Sequence, residues 1–391
     1  MDCSVPVSRI AFGGDGVGRL PDGKVCFVTG ALPGETVRAE ITHEAKSYAR
    51  TRVLEVLTAS PERVKPDCPL AGTCPGCAYR HASYDCELEW KDHQFHDFLT
   101  RGNPAAGDIS FLPPLGAPSR NGCRNKLTFI CENGAFCYRG FDNRTAVPVH
   151  DCLLGHPDIR TLLTTAEPGA DGQKRTFRRT LHDGALDSGS EAWQKLTHLT
   201  EQLGPYGEFR VPKASFFQVN PEMSPKLAER VLTLLKETGS QQLLELYCGV
   251  GVFSILAAEA IPGLTAYAVE LDAAAINAAK FNAARHGVSD RCTFMAADAG
   301  SVFETLAASL ESHYCVLVDP PRTGLPASLT NDIWWQAPEF VLYVSCGPDT
   351  LRRDADRLSE HGYVIQTAGM VDMFPATGHF ESVTLFRRCA S

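Results

Sequence analysis

From about residue 240 onward the chain is predicted to fold as an α/β domain with a doubly wound parallel sheet, and three observations carry that prediction. Apolar runs at Leu243–Leu246, Ala266–Val269, Tyr314–Val318 and Phe340–Val344 recur with helix-like stretches between them, the rhythm of strands covered on both faces. The first run ends in a glycine turn, Gly249-Val250-Gly251, that opens a helical stretch from Ser254 to Ala260. Polar residues gather just after each run: Glu270 and Asp272, Asp319 to Arg322, Ser345 and Cys346. Ligands of such sheets bind beyond the carboxyl ends of the strands.

Ahead of this domain, residues 1–60 read as short alternating strands: Ser8 to Phe12, Val25 to Thr29, Thr36 to Thr42 and Arg50 to Leu57. Gly13-Gly14-Asp15-Gly16 and Leu32-Pro33-Gly34-Glu35 divide them as turns. A small closed barrel of the oligonucleotide-binding kind buries such strands, and such barrels often carry RNA affinity. Ser60-Pro61-Glu62-Arg63-Val64-Lys65-Pro66 reads as a stiff linker.

Residues 61–210 read as a central α+β domain. It opens on Cys68-Pro69-Leu70-Ala71-Gly72-Thr73-Cys74-Pro75-Gly76-Cys77, and three thiols in a proline and glycine loop point to ligation rather than packing. Cys152 is the best candidate for a fourth ligand. Four thiolates suit either zinc or a cubane iron–sulfur cluster, and spacing leaves both open. Further on, Cys123 to Phe129 and Gly140 to Arg144 suggest antiparallel strands whose basic ends beside aromatics either hold a flipped-out base or form ordinary surface. Lys174-Arg175-Thr176-Phe177-Arg178-Arg179 is a nucleic-acid patch or a solvated edge strand.

Composition bounds the rest. The 391 residues allow two or three domains with ample cores. A net charge of −9 weighs against a nucleic-acid protein without excluding one, because residues 1 to 66 hold nine Lys or Arg against eight Asp or Glu. Fifteen cysteines, an odd number, with no basic start and apolar core in Met1 to Gly13, fit a reducing compartment. Leu246 to Ala258, the longest uncharged apolar-rich run, is too short for a bilayer. The expectation is a soluble cytoplasmic protein, a monomer with no membrane partner and no obligate protein partner.

Several residues at the sheet edge carry chemistry. Cys346, where a strand ends and a helix begins, receives the amide dipoles of that helix, which favour thiolate and make a nucleophile. Glycines at 249 and 251 allow a ligand close to the backbone and a helix close to its strand. Glu270, 25 positions after Glu245, stands where a carboxylate meets two ribose hydroxyls. Asp319-Pro320-Pro321-Arg322 is a stiff loop that presents its acid and its base above the sheet. The helix Asp272 to Arg285 has Asp272 as its cap and Gly287 as its stop.

In this order the segments resemble the S-adenosylmethionine-dependent RNA uracil-5-methyltransferases over nearly the whole chain. The barrel, with Ala31-Leu32-Pro33-Gly34-Glu35, is similar to a TRAM domain. Cys68, Cys74, Cys77 and Cys152 match the family's iron–sulfur ligands, which implies a 4Fe–4S cluster, with zinc as the lesser alternative. Arg124-Asn125-Lys126, Ser215-Phe216-Phe217-Gln218-Val219-Asn220, Asp319-Pro320-Pro321-Arg322, Ser345-Cys346 and Phe374-Pro375-Ala376-Thr377-Gly378-His379-Phe380-Glu381 match further family motifs.

The resemblance implies a Rossmann-like methyltransferase domain over 211–391, S-adenosylmethionine as cofactor and RNA as substrate. It is nearest to the branch that modifies large-subunit (23S) ribosomal RNA. A T-loop uridine of tRNA is the alternative target, and a catalytically silent RNA-binding iron–sulfur protein the alternative of another class. It also implies that Cys346 adds to uracil carbon 6, that Asp319 holds the base, and that Glu381 removes the carbon 5 proton. The cofactor would lie over Gly249 and Gly251, with Glu270 on its ribose, Gln218 and Tyr247 near the methionine portion, Asp298 near the adenine, and Asp319 also among its binding residues. Phe216 either stacks on the extruded uracil or packs in the core. The chain departs from the family at Gly347, where Asn is usual, and between Leu153 and Glu208, where the segment is shortened.

Overall fold

The structure is a computed structural model that describes residues 2–103, 108–311 and 313–389. The strands Asp2–Ile10, Gly16–Arg19, Val25–Thr29, Thr36–Glu44 and Tyr48–Thr58 close into a barrel in which the fifth lies between the third and the fourth. Val5, Val7, Cys26, Val28, Val37, Ala39 and Ala49 fill it, the inward members of alternating strands. The first strand lies earlier than its pattern suggested, and Phe12 is outside it. Its ring meets those of Phe98 and Phe380 edge-on at 5.4 and 5.8 Å, fastening the barrel to the carboxyl-terminal domain. A Cβ added at Gly378 would lie 2.6 Å from the Gly13 carbonyl oxygen, so a barrel turn touches the segment leading to Glu381.

The central region forms a five-stranded antiparallel sheet in the order Gly184–Asp187, Lys174–Thr180, Lys126–Glu132, Ala135–Arg139, Ala146–Pro148. Lys174–Thr180 is paired on both sides, so the basic run is not an edge strand. Two of its arginines are not free to meet phosphate, although Lys174 is exposed and Arg179 half-buried. Arg178 is 1% exposed and paired with Glu201 at 2.8 Å, while Arg175 is paired with Asp187. Buried guanidiniums need such partners, and these lie on strands the basic run itself does not reveal.

The carboxyl-terminal sheet has eight strands in the order Cys292–Ala296, Thr265–Glu270, Gln242–Leu246, Tyr314–Val318, Phe340–Ser345, Glu381–Arg388, Tyr363–Val371, Ser110–Phe111. The first five are parallel, as expected of the doubly wound class. Glu381–Arg388 then runs antiparallel between Phe340–Ser345 and Tyr363–Val371, and Ser110–Phe111 joins the edge from the central region. Helices Ser224–Glu237, Val252–Ala260 and Ala273–Arg285 bury one face, through Leu227, Val231, Ile255 and Ala279 among others. Tyr84–Thr100, Ala299–Ala307, Ala327–Gln336 and Pro348–Glu360 bury the other, through Phe95, Phe303, Leu329 and Leu351. Among the described residues no helix is long and apolar enough to cross a membrane.

Candidate active site

Two strands of opposite direction bring the thiol and the acid together. Ser345 pairs with Ser382, so the next residue on one strand, Cys346, stands opposite the preceding residue on the other, Glu381. Asp319 follows the neighbouring strand, whose Val318 is in register with Tyr343. Cys346 is half-buried, Glu381 is 6% exposed, and Arg322 is exposed on the loop beside them.

The electrostatics correct one expectation. A helix, Pro348–Glu360, does begin behind Cys346, and the Gly347 N–H is donated to Ser345 Oγ at 3.1 Å. Yet burial, and then the Glu381 carboxyl, push the Cys346 thiol up to about 11, with Arg322 pulling the other way and Asp319 adding to the rise. Desolvation and two nearby carboxyls outweigh one arginine and a helix end. In the ligand-free protein the sulfur is a thiol, not a thiolate. Burial also raises Asp319 to about 7. Glu381 is held well above the ordinary carboxyl range by burial first and Asp319 second, against Arg322.

Gln218, Tyr247, Gly249 and Asp319 line one pocket together with Phe216 and Phe217. Asp319 therefore joins this pocket to the thiol. Gly249 has φ +54° with no atom within 4 Å of the place a Cβ would occupy, so its backbone is open to a ligand. Gly251 does the other half of the work. Its φ is +83°, and a Cβ there would lie 2.7 Å from the Phe294 ring, so it lets the helix Val252–Ala260 pack and does not line the pocket. Glu270 accepts the N–H of Gly249 at 3.1 Å and of Asp272 at 3.0 Å, leaving lone pairs for further donors. Asp298 caps the helix Ala299–Ala307 by accepting the Ser301 N–H at 3.0 Å, and its charge, after burial, helps raise the Tyr247 phenol. Tyr247 itself has φ +65°, a conformation non-glycine residues avoid and functional sites often hold.

The four cysteines also converge. Cys68, Cys74, Cys77 and Cys152 line one cavity of 520 Å³ with Arg80, Arg124 and Lys126. Cys74 feels the charges of the other three. The Gly76 N–H points to Cys74 Sγ at 3.5 Å and the Tyr138 hydroxyl to Cys152 Sγ at 3.8 Å. Among the described residues no three His, Cys, Asp or Glu gather tightly enough to hold a single metal ion. Phe216 and Phe217 line this cavity as well as the pocket beside Asp319. Phe217 is buried, but Phe216 is 69% exposed, which excludes core packing for it. Arg80, 4% exposed and placed so that its charge draws the Cys77 thiol down against burial, had no sequence signal except its place three residues after that cysteine.

Comparison with known proteins decides the family. The profile of the tRNA (uracil-5-)-methyltransferases matches residues 204–389, and that of the TRAM domain residues 4–54. The 23S rRNA (uracil(1939)-C(5))-methyltransferase RlmD of Stenotrophomonas maltophilia is 31% identical, covering 94% of this chain and 92% of its own. The chain belongs to the S-adenosylmethionine-dependent RNA uracil-5-methyltransferase family. The RlmD protein of Xanthomonas oryzae pv. oryzae is 30% identical over 98% of this uracil-5-methyltransferase and 96% of its own length. The crystal structure of Pyrococcus abyssi tRNA (uracil-54, C5)-methyltransferase in complex with S-adenosyl-L-homocysteine shares the fold, with a TM-score of 0.73 at 22% identity over 98% of this chain and 99% of that one. The expected TRAM barrel and Rossmann-like methyltransferase architecture are both present, and the methyl donor of this enzyme family is S-adenosylmethionine.

Proposed function

We propose that this enzyme makes 5-methyluridine in large-subunit ribosomal RNA, with Cys346 as its nucleophile and Glu381 as its base. One observation carries the reading: the Cys346 thiol and the Glu381 carboxyl face each other, with Asp319 linking both to the pocket of Gln218, Tyr247 and Gly249. The target is supported by two relatives that bear 23S ribosomal RNA in their names.

Uracil carbon 5 is too weak a nucleophile unaided, and covalent addition at carbon 6 overcomes this. The Cys346 thiol gives up its proton to solvent and its sulfur adds to carbon 6, while the electrons of the 5,6 double bond move into an enolate. S-adenosylmethionine, when bound, supplies the electrophilic methyl that carbon 5 takes up, leaving S-adenosylhomocysteine. Glu381, as carboxylate, then removes the carbon 5 proton. The freed electron pair restores the double bond, the sulfur–carbon bond breaks, and Cys346 leaves as thiolate. Asp319, kept partly protonated near neutrality by burial, donates a hydrogen bond to the base as charge builds on it. Gly249 and Glu270 would face the nucleoside of the cofactor, with Asp298 toward its adenine, and Phe216 would stack on the extruded uracil.

Cys68, Cys74, Cys77 and Cys152 would hold a 4Fe–4S cluster. Thiols spread around a 520 Å³ cavity, with an N–H and a phenol aimed at two sulfurs, suit a multi-atom cluster better than one zinc ion. Its part would be to stiffen the loop beside Phe216. The barrel, residues 1–60, would grip RNA, and fifteen free thiols support a cytoplasmic location.

The test is mass mapping of 23S ribosomal RNA and tRNA from cells lacking this gene, complemented with the wild type or with Cys346→Ala. One 5-methyluridine of 23S ribosomal RNA should vanish and return only with the wild type. Loss confined to tRNA would overturn the target, and rescue by Cys346→Ala the mechanism. Protein purified without oxygen should absorb broadly in the visible and contain iron and sulfide; zinc without sulfide would overturn the cluster.

A further inference from the structure

The helix Tyr84–Thr100 carries a lysine that the chemistry above does not use. Lys91 is 0% exposed, and its Nζ lies 2.7 Å from Glu87 Oε1, 2.9 Å from Asp372 Oδ1 and 3.2 Å from the Phe374 carbonyl oxygen. Glu87 and Asp372 are as deeply buried. Arg120 balances the charge, pairing with Glu87 Oε2 at 3.0 Å, and the Tyr84 hydroxyl donates to Asp372 Oδ2 at 2.9 Å. Two cations and two carboxylates thus meet in the interior.

Such a cluster is a poor way to gain stability, because apolar residues of the same volume often do as well. Its distinctive property is direction. All its bonds to the carboxyl-terminal domain end on residues 372–376, the turn that precedes Glu381. Ala376 in that turn is buried with φ +67°, a conformation a residue with a Cβ keeps only when its surroundings impose it. Glu87 accepts its N–H at 2.6 Å, and its carbonyl accepts the Tyr79 N–H at 3.0 Å. Asn220 Nδ2 donates to the Met373 carbonyl at 3.0 Å and the Leu115 carbonyl accepts the Asp372 N–H, so the turn is held by several segments, and the charged contacts among them come from the helix Tyr84–Thr100.

We infer that Lys91 is a positioning residue for methyl transfer: through Asp372, Phe374 and Glu87 it fixes the 372–376 turn and so aims the Glu381 carboxylate at carbon 5. This rests on the reading of Glu381 as the base. Misplacing a base by an ångström slows its own step far more than it weakens binding.

The experiment uses full-length Lys91→Met with unmodified and 5-fluorouridine RNA. The fluorinated RNA traps every site able to add sulfur and methyl, whether or not the base works, and so counts competent sites. Turnover per trapped site is expected to fall by about tenfold or more, with KM for RNA within about twofold of wild type, and a covalent adduct with unmodified RNA should accumulate. A purely structural lysine would lower the melting temperature and the number of trapped sites but leave turnover per site at the wild-type value, which would overturn the inference. Should Lys91→Met not fold, the isosteric Asp372→Asn serves, with the same adduct expected and wild-type turnover per site again refuting. Glu381→Gln runs in parallel. Adduct there but in neither of the other variants sinks the role of Lys91 alone, whereas no adduct in Glu381→Gln removes the base and the inference with it.

Discussion

Cys346 stands opposite Glu381 across the antiparallel pairing of Phe340–Ser345 with Glu381–Arg388, one step past the Ser345 and Ser382 pair. The two groups proposed to act first and last on the pyrimidine ring therefore sit on adjacent strands, and the Glu381 carboxyl helps raise the Cys346 thiol. Removing the acid while keeping its shape should separate the steps. Glu381→Gln is expected to add sulfur and methyl and then stall, lowering turnover about 10²-fold or more. Denaturing gels of enzyme mixed with ordinary RNA should show the methylated adduct, and rapid product release from this variant would be incompatible with Glu381 as the base.

The raised thiol fixes a pH dependence. Since Cys346 is pushed up to about 11, the free protein holds it protonated at neutral pH and the reactive form gains as pH rises. Alkylation of Cys346 by iodoacetamide, followed on its peptide by mass spectrometry, should accelerate about tenfold per pH unit from about 7 to about 9. Glu381→Gln removes the carboxyl that acts most strongly on the sulfur after burial and should move the rising limb to lower pH. A flat profile would contradict the environment described.

The two glycines of the turn should fail differently. Gly251→Ala forces a Cβ to 2.7 Å from the Phe294 ring at φ +83°, so the fold should lose about 1–3 kcal/mol. Gly249→Ala meets no atom within 4 Å and should cost about 1–2 kcal/mol through its positive φ alone, yet weaken S-adenosylmethionine by filling the open backbone. Thermal unfolding and titration calorimetry separate the two effects.

Arg178 was a candidate for RNA contact and is instead a buried partner of Glu201. Arg178→Ala leaves that carboxylate unpaired and should destabilise by about 3–5 kcal/mol. The slope of RNA affinity against salt should not change, because the guanidinium meets no phosphate. A shallower slope in the folded variant would return Arg178 to the RNA surface.

What the sequence revealed, and what it hid, follows the range of the interactions. Parallel strands with polar tips are local patterns, so Glu270, Asp319 and Cys346 could each be placed at a strand end. The function of the Cys346 environment was not local. Its opposing acid comes from a strand 35 positions later, and only folding shows that burial, joined by that carboxyl, overrides the helix end. Arg175 and Arg178 looked available for the same reason, since Asp187 and Glu201 become their neighbours through folding alone. Lys91 is one lysine among many in the sequence. Nothing before the third dimension distinguishes it from a solvated one.

The strand bearing Glu381 is threaded between two others rather than laid along a margin. Until it inserts, Phe340–Ser345 and Tyr363–Val371 have no common partner and Cys346 has no acid across from it. The proposed nucleophile and base are therefore brought together only by the pairing of this strand with its neighbour.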